Sequence, residues 1–304
     1  MKKISLILVN ILLLCAAAFS QQDPIYTQYM FNGLAINPGF TGAHEVISLT
    51  AGTRIQWTGT SSEKPVTHTF SAHAPLAIDR GAVGGYVIAD KIGNTTRNMV
   101  MGSYAYRIPM GLGKLSFGMS AGITTFQSDP VDAKDMDDPL NQDIGTVTKP
   151  QIGAGLFYYT DRFFLGLSAP NLMKYTIEAN GATMPYYEYQ RHFFAYSGYV
   201  IKMSEDLQFK PNVLFKYVDG APMQLDLNAN FLFYEKFGIG ASYRSLDAFS
   251  IIAEFQLPQP FFRIGYSYDL THTELFSQQY GTHEIVLNYR FGIKKNILLT
   301  PRYF

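Results

Sequence analysis

Past its first twenty residues this 304-residue chain has no long apolar run, no cysteine and few charges. The missing run excludes a membrane-spanning helix, which needs about 20 consecutive apolar residues. The one cysteine, Cys15, falls inside the N-terminal apolar stretch, so a chain cleaved beyond it has no disulfide and no thiol chemistry. Charged residues make up 16%, against about 25% in an ordinary soluble domain. The formal net charge is zero, which gives no footprint for nucleic acid. Tryptophan occurs once, whereas Tyr occurs 21 times and Phe 23 times.

The start reads as an export signal. Lys2 and Lys3 precede the apolar stretch Ile4–Phe19, and Ala18-Phe19-Ser20 offers a small-residue cleavage site before Gln21. A lipoprotein signal needs a small residue before its cysteine; Leu14 stands there. The expected organisation is a signal peptide over 1–20, a periplasmic plug or docking segment over 21–44, a barrel over 45–292 and a periplasmic tail over 293–304.

From residue 45 onward the chain alternates. Leu115, Phe117, Met119, Ala121 and Ile123 interleave with Ser116, Gly118, Ser120, Gly122 and Thr124. Leu225, Leu227, Ala229, Phe231 and Phe233 do the same against Gln224, Asp226, Asn228 and Asn230. A period of two puts one set on each face of a strand. Repeated in an exported, charge-poor, Tyr- and Phe-rich chain, it predicts a transmembrane antiparallel β-barrel. About fourteen strands are expected, over 45–57, 66–76, 81–90, 98–108, 114–126, 151–159, 162–168, 191–202, 207–217, 223–233, 236–244, 248–257, 261–270 and 281–292.

Every second connection is tight, as at Ala77–Arg80 and Met203–Asp206. The intervening ones tend to be longer: Thr58–Pro65, Lys91–Arg97, Gln127–Pro150, Ala169–Gln190 and Thr271–Tyr280, with Val218–Pro222 and Ser245–Asp247 as short exceptions. Outer-membrane barrels carry short periplasmic turns and long outer loops, so parity puts both termini in the periplasm. A charge facing lipid costs about 2–4 kcal/mol near the midplane. Arg54, Arg107, Arg162, Lys210, Lys216, Asp226, Arg244, Glu254, Arg263, Asp269, Glu284 and Arg290 are therefore assigned to the lumen, where opposite charges on neighbouring strands can pair. Ile47, Leu49, Phe117, Leu156, Phe209, Phe215, Phe231, Phe249, Phe255, Tyr266, Ile285 and Leu287 are assigned to lipid.

Three segments stand apart. Asp23–Asn32 followed by Ile36–Gly42 does not alternate, and reads as a short helical or irregular piece ending in an Asn37-Pro38 turn. Tyr26, Tyr29, Met30 and Phe31 give it an apolar side, suited either to plugging the barrel mouth or to docking a periplasmic partner. The loop Gln127–Pro150 holds Asp129, Asp132, Asp135, Asp137, Asp138 and Asp143. Calcium would need several oxygens, but the spacing lacks the third carboxylate and the Gly of a calcium loop, so a solvated acidic loop is expected. The loop around Tyr175, Tyr186, Tyr187 and Tyr189 suits partner recognition, since tyrosines give rigid contact area, or an aromatic rim at the membrane interface. His68, His73, His192, His272 and His283 form no metal-binding pair and no nucleophile elbow, and His283 and Glu284 face opposite sides of one strand. No catalytic, cofactor or metal site is expected.

The opening Asp23-Pro24-Ile25-Tyr26-Thr27-Gln28-Tyr29-Met30-Phe31-Asn32 and Ile36-Asn37-Pro38 with Gly42 resemble the PorP/SprF family of type IX secretion outer-membrane proteins of Bacteroidetes. Further matches are Arg54-Ile55-Gln56-Trp57, Gly166–Leu172, Gly265–Asp269, Gly281–Ile285 and Arg302-Tyr303-Phe304. The resemblance implies a barrel that helps secrete or anchor a surface protein bearing a type IX sorting domain, beside other secretion components, with gliding among the processes served. The residues expected to bind a partner are Tyr26, Tyr29, Met30, Phe31, Asn37 and Pro38 of the opening segment and Tyr175, Tyr186, Tyr187 and Tyr189 of the tyrosine loop. The alternatives carried forward are a transporter for small apolar molecules, with the N-terminal segment as a hatch, and an open porin.

Overall fold

The computed structural model describes residues 26–59, 64–77, 80–129, 145–178, 185–245, 247–258, 261–272 and 279–292. The expected signal peptide, the tail over 293–304 and most of the acidic loop lie outside these residues.

The alternating segments form the strands β1 Ile47–Ile55, β2 Val66–Pro75, β3 Gly81–Ile92, β4 Thr95–Met110, β5 Gly113–Ser128, β6 Gly145–Tyr159 and β7 Phe163–Asn171. A small hairpin, β8 Tyr175–Glu178 and β9 Pro185–Tyr189, follows. The wall resumes with β10 His192–Tyr199 and β11 Ile201–Lys202, one strand interrupted at Val200. It is completed by β12 Leu207–Val218, β13 Gln224–Phe233, β14 Phe237–Arg244, β15 Ala248–Pro258, β16 Phe261–Thr271 and β17 Thr282–Phe291. Each wall strand pairs antiparallel with its sequence neighbour, and β17 pairs with β1 from Phe291 opposite Ile47 to His283 opposite Ile55. The result is a closed barrel of fourteen strands.

Closure leaves no edge, so backbone groups in the wall are paired without water, as hydrocarbon requires. The burial pattern inverts that of a soluble protein. On β13, Asp226, Asn228 and Asn230 point inward and are buried, while Leu227, Phe231 and Phe233 point outward and are exposed. Two aromatic belts ring the outside. Nearer the short turns lie Tyr158, Phe163, Tyr199, Phe209, Phe231, Phe237 and Phe255, with Phe209 and Phe231 stacked at 4.8 Å. Nearer the long loops lie Phe193, Tyr217, Tyr243 and Phe249.

Two strand expectations need correcting. The connection at Lys91–Arg97 is a tight turn, because β3 runs to Ile92 and β4 restarts at Thr95 around Gly93, whose φ is +58°. β6 starts at Gly145, six residues before the expected start at 151. Pro150 reads as a breaker, yet above Ile152 this strand pairs with β5 alone, and a strand open on one side tolerates proline. β3 to β6 consequently rise as a taller wall on the loop side.

Candidate functional site

The barrel interior is filled by the chain's own N-terminal segment. Residues 26–45 fold into three short helical turns, Tyr29–Phe31, Gly33–Ile36 and Pro38–Phe40. None is long enough to persist alone. The last is nucleated locally, since the Asn37 side chain accepts the Gly39 N–H at 2.7 Å and Pro38 stands at the first helical position. Tyr29, Met30, Phe31, Leu34, Ile36, Asn37, Pro38 and Phe40 are all buried.

The segment enters at the short-turn rim, where Glu45 pairs with Lys114. Gly42, with φ +75°, makes the bend. Its N–H donates to His73 Nδ1 at 3.1 Å and its carbonyl accepts from Arg107 Nη1 at 2.9 Å. Arg107 also donates to the Gly81 carbonyl at 3.0 Å. The Phe40 ring packs between His73 and Phe157, and Thr41 donates to Ser103 Oγ at 3.0 Å. At mid-height Asn37 Nδ2 donates to the Leu156 carbonyl at 2.9 Å and Ser168 Oγ donates to the Ile36 carbonyl at 2.6 Å. The wall must be thin here: a Cβ on Gly118 would fall 2.2 Å from the Gly39 nitrogen, and one on Gly155 would fall 2.0 Å from Asn37 Oδ1.

The upper end meets an ionic cluster near the long-loop rim. Arg54 pairs with Asp269 at 2.7 Å and Glu284 at 2.9 Å. Arg244 pairs with Asp226 at 2.9 Å and Asp247 at 3.2 Å. Between them sits Thr27, whose hydroxyl donates to Asp269 at 2.8 Å and accepts from Arg54 and Arg244, each at 3.1 Å. Glu284 takes the backbone N–H groups of Thr27 at 2.9 Å and Gln28 at 3.0 Å, one on each oxygen. Below this cluster the Arg263 guanidinium lies 4.6 Å over the Phe31 ring, and Glu254 faces Lys210 at 2.6 Å and Arg263 at 3.5 Å. Arg290 lies 4.2 Å over Phe261. A buried ion is tolerated only when paired and hydrogen-bonded, and the segment supplies part of that satisfaction.

The structure thus places Arg54, Arg107, Asp226, Arg244, Glu254, Arg263, Asp269, Glu284 and Arg290 inside the barrel, all buried, along with Lys210 and Lys216. Arg162 departs from its assignment: it lies exposed in the turn between β6 and β7, where strand parity no longer applies. The segment carrying Tyr29, Met30, Phe31, Asn37 and Pro38 does not stop at the mouth. It runs up the lumen, with those side chains turned to the wall.

The tyrosine loop also folds inward. Tyr175 and Tyr189 of the β8–β9 hairpin stack at 4.9 Å and 8°, against Phe126 on the inner face of β5. Tyr187 packs on Phe126 at 4.8 Å, and Arg97 lies 5.5 Å over the Tyr189 ring. These three tyrosines lie on the tall wall's inner side, away from the lipid belts; the Tyr186 side chain is outside what the structure describes. Between hairpin and segment a cavity of about 40 Å³ remains, lined by Tyr26, Tyr29, Arg97, Met99, Lys216 and Asp226.

Sequence reasoning missed Thr27, Gln28, His73 and Ser103 as partners in this site. It also missed what the inward glycines meant. Gly118, Gly155 and Gly265 sit at lumen-facing positions where a strand ordinarily gains from a side chain, which signals another part of the chain close by: the backbone at Gly39 for Gly118, and the side chains of Asn37 and Gln28 for Gly155 and Gly265.

The family model of the type IX secretion system membrane protein PorP/SprF matches residues 18–289. No functionally curated protein matches the chain. Among solved structures, the monoaromatic hydrocarbon channel CymD is similar at a TM-score of 0.54 and 14% identity, covering 86% of this chain and 93% of its own. The toluene transporter TodX of P. putida is similar at 0.51 and 11% identity, covering 86% and 95%. At such identities the likeness is one of fold.

Proposed function

The chain belongs to the PorP/SprF family of type IX secretion system membrane proteins, and we propose that its barrel is an adaptor that holds a secreted surface protein at the outer membrane. Family and membrane barrel together support the outer membrane as its location. They mark a secretion component rather than an enzyme, working beside other secretion components and secreted cargo.

One observation carries the adaptor reading beyond the family: the lumen is occupied. An open porin needs a water-filled interior, and a small-molecule transporter would have to move the N-terminal segment aside as a hatch. Here residues 26–45 fill the lower and middle lumen, and the tyrosine hairpin leans over the top. The cavity between them, about 40 Å³, has room for a few waters. A filled barrel suits a platform, with the long-loop rim as the face that meets the client. The client is taken to carry a type IX sorting domain, and both chain ends are taken to start from the periplasmic side.

Deleting the chain from its host and restoring it tests this. The expected result is loss of one surface protein from the cell, or its release into the medium, with recovery on complementation. Unchanged surface display together with altered uptake of small apolar molecules would replace the adaptor with the transporter.

A further inference from the structure

We propose that the loop-side end of β6 is a docking edge, on which an extended strand of the displayed surface protein adds to the tall wall. This rests on the adaptor reading and names where the client is gripped.

The edge exists because β7 leaves the wall early. β6 pairs with β5 from Gly145 to Tyr159, but with β7 only from Ala154 to Tyr159. Beyond Asn171 the chain bonds once more, Leu172 N–H to the Ile152 carbonyl at 3.0 Å, before the tyrosine hairpin begins at Tyr175. The Gln151 side chain pins that exit by accepting the Met173 N–H at 2.9 Å. Among the described residues, 145–151 therefore have a strand neighbour on one side only.

Strand parity tells which backbone groups are left. The Thr160 N–H and the Ile152 carbonyl both point to the β7 side, and the register with β5 runs between them and beyond without a shift. Every second residue points the same way, so Thr146, Thr148 and Pro150 turn their backbone to the open side. Two N–H groups and three carbonyls stand there in a row, and all three residues are exposed. Such a row is a template for an added strand. Its inner face is already backed, because Val147 packs against the buried cluster that holds Phe126 and Tyr189. Lys149 and Pro150 are residue types that guard an edge against indiscriminate pairing, which leaves Thr146 and Thr148 as the pairing positions.

A second copy of the chain does not fit. Antiparallel pairing of two such edges needs a two-fold axis normal to the sheet, which lies in the membrane plane and would turn one barrel over. Parallel pairing needs an axis along the strand, and barrel strands tilt by about 35–45°, so the second barrel would leave the membrane. The occupant is a strand of another protein, running antiparallel to β6. Its outward side chains lie beside Thr146 and Thr148, and its inward ones beside Val147 and Lys149. Polar β-branched residues outward with apolar or acidic residues inward match that pattern.

The test is run in the host, on the full-length barrel and the surface protein whose display its deletion removes. Thr146→Pro with Thr148→Pro deletes both open-side N–H groups and no hydrogen bond to β5. The barrel should keep parental abundance and heat-modifiable migration, while retention of the surface protein falls on the order of thirtyfold, the loss expected for two neutral hydrogen bonds. Thr146→Val with Thr148→Val keeps both N–H groups and should display normally.

A second arm needs no proline. A benzophenone side chain in place of Thr148 should cross-link to that same surface protein. One in place of Asn98, at the same height two strands away, should not. Normal display by an assembled proline variant, equal loss in the valine variant, or equal cross-linking from Asn98 would overturn the docking edge. Normal display in the deletion strain would instead remove the adaptor reading, and the edge's occupant with it.

Discussion

Residues on the two faces of one strand should fail in opposite ways. Phe231 faces lipid on β13, and Phe231→Arg puts a charge in hydrocarbon at about 2–4 kcal/mol, so less barrel should accumulate in the membrane. Glu284 faces the lumen on β17, where Glu284→Gln leaves Arg54 short of one carboxylate and weakens the hold on Thr27 and Gln28. Removing one member of a buried pair costs about 3–5 kcal/mol. The barrel should still show heat-modifiable migration, but a cysteine at Gln28 should become reactive to an aqueous maleimide that leaves it untouched in the parent. Alternation alone assigned both residues to their faces. Pairing was not legible: Arg54 meets Asp269 across an intervening strand, and the register that allows this is set by closure of β17 on β1.

At the scale of elements, the β8–β9 hairpin departs furthest from the sequence reading. Tyr175, Tyr187 and Tyr189 suggested a recognition loop or a membrane rim, and strand periodicity cannot separate those from a hairpin folded over its own barrel. The information lies on other strands, in Phe126 and Arg97, whose inward direction follows from parity but whose partners do not. If the hairpin covers the lumen, Tyr189→Ala with Tyr175→Ala should speed maleimide labelling of a cysteine at Met99 and leave barrel abundance unchanged. Equal rates with and without the tyrosines would place the cover elsewhere. The N-terminal turns show the same limit. Asn37-Pro38 announced a turn, while the path up the lumen is fixed by wall glycines more than 70 residues away.

For the whole molecule, strand number and closure were readable because lipid forces every strand to obey one period. Orientation is a separate proposal. Parity puts Gly145 on the outer rim and Arg80 and Gly111 in the periplasmic turns. A cysteine at Gly145 should label on intact cells with an impermeant maleimide, and cysteines at Arg80 and Gly111 should not; the converse pattern would invert the barrel. Function was legible only through the family's motifs, since fold alone does not distinguish an adaptor from a channel.

Whether the lumen is filled in a membrane is the claim on which the rest depends, and conductance across a planar bilayer measures it most directly. The wild-type barrel should carry no steady current. Gly118→Leu, whose Cβ would meet the Gly39 nitrogen at 2.2 Å, should displace the segment and open stable current steps in a barrel of normal heat-modifiability. Steady open-channel current through the wild-type protein would contradict the account.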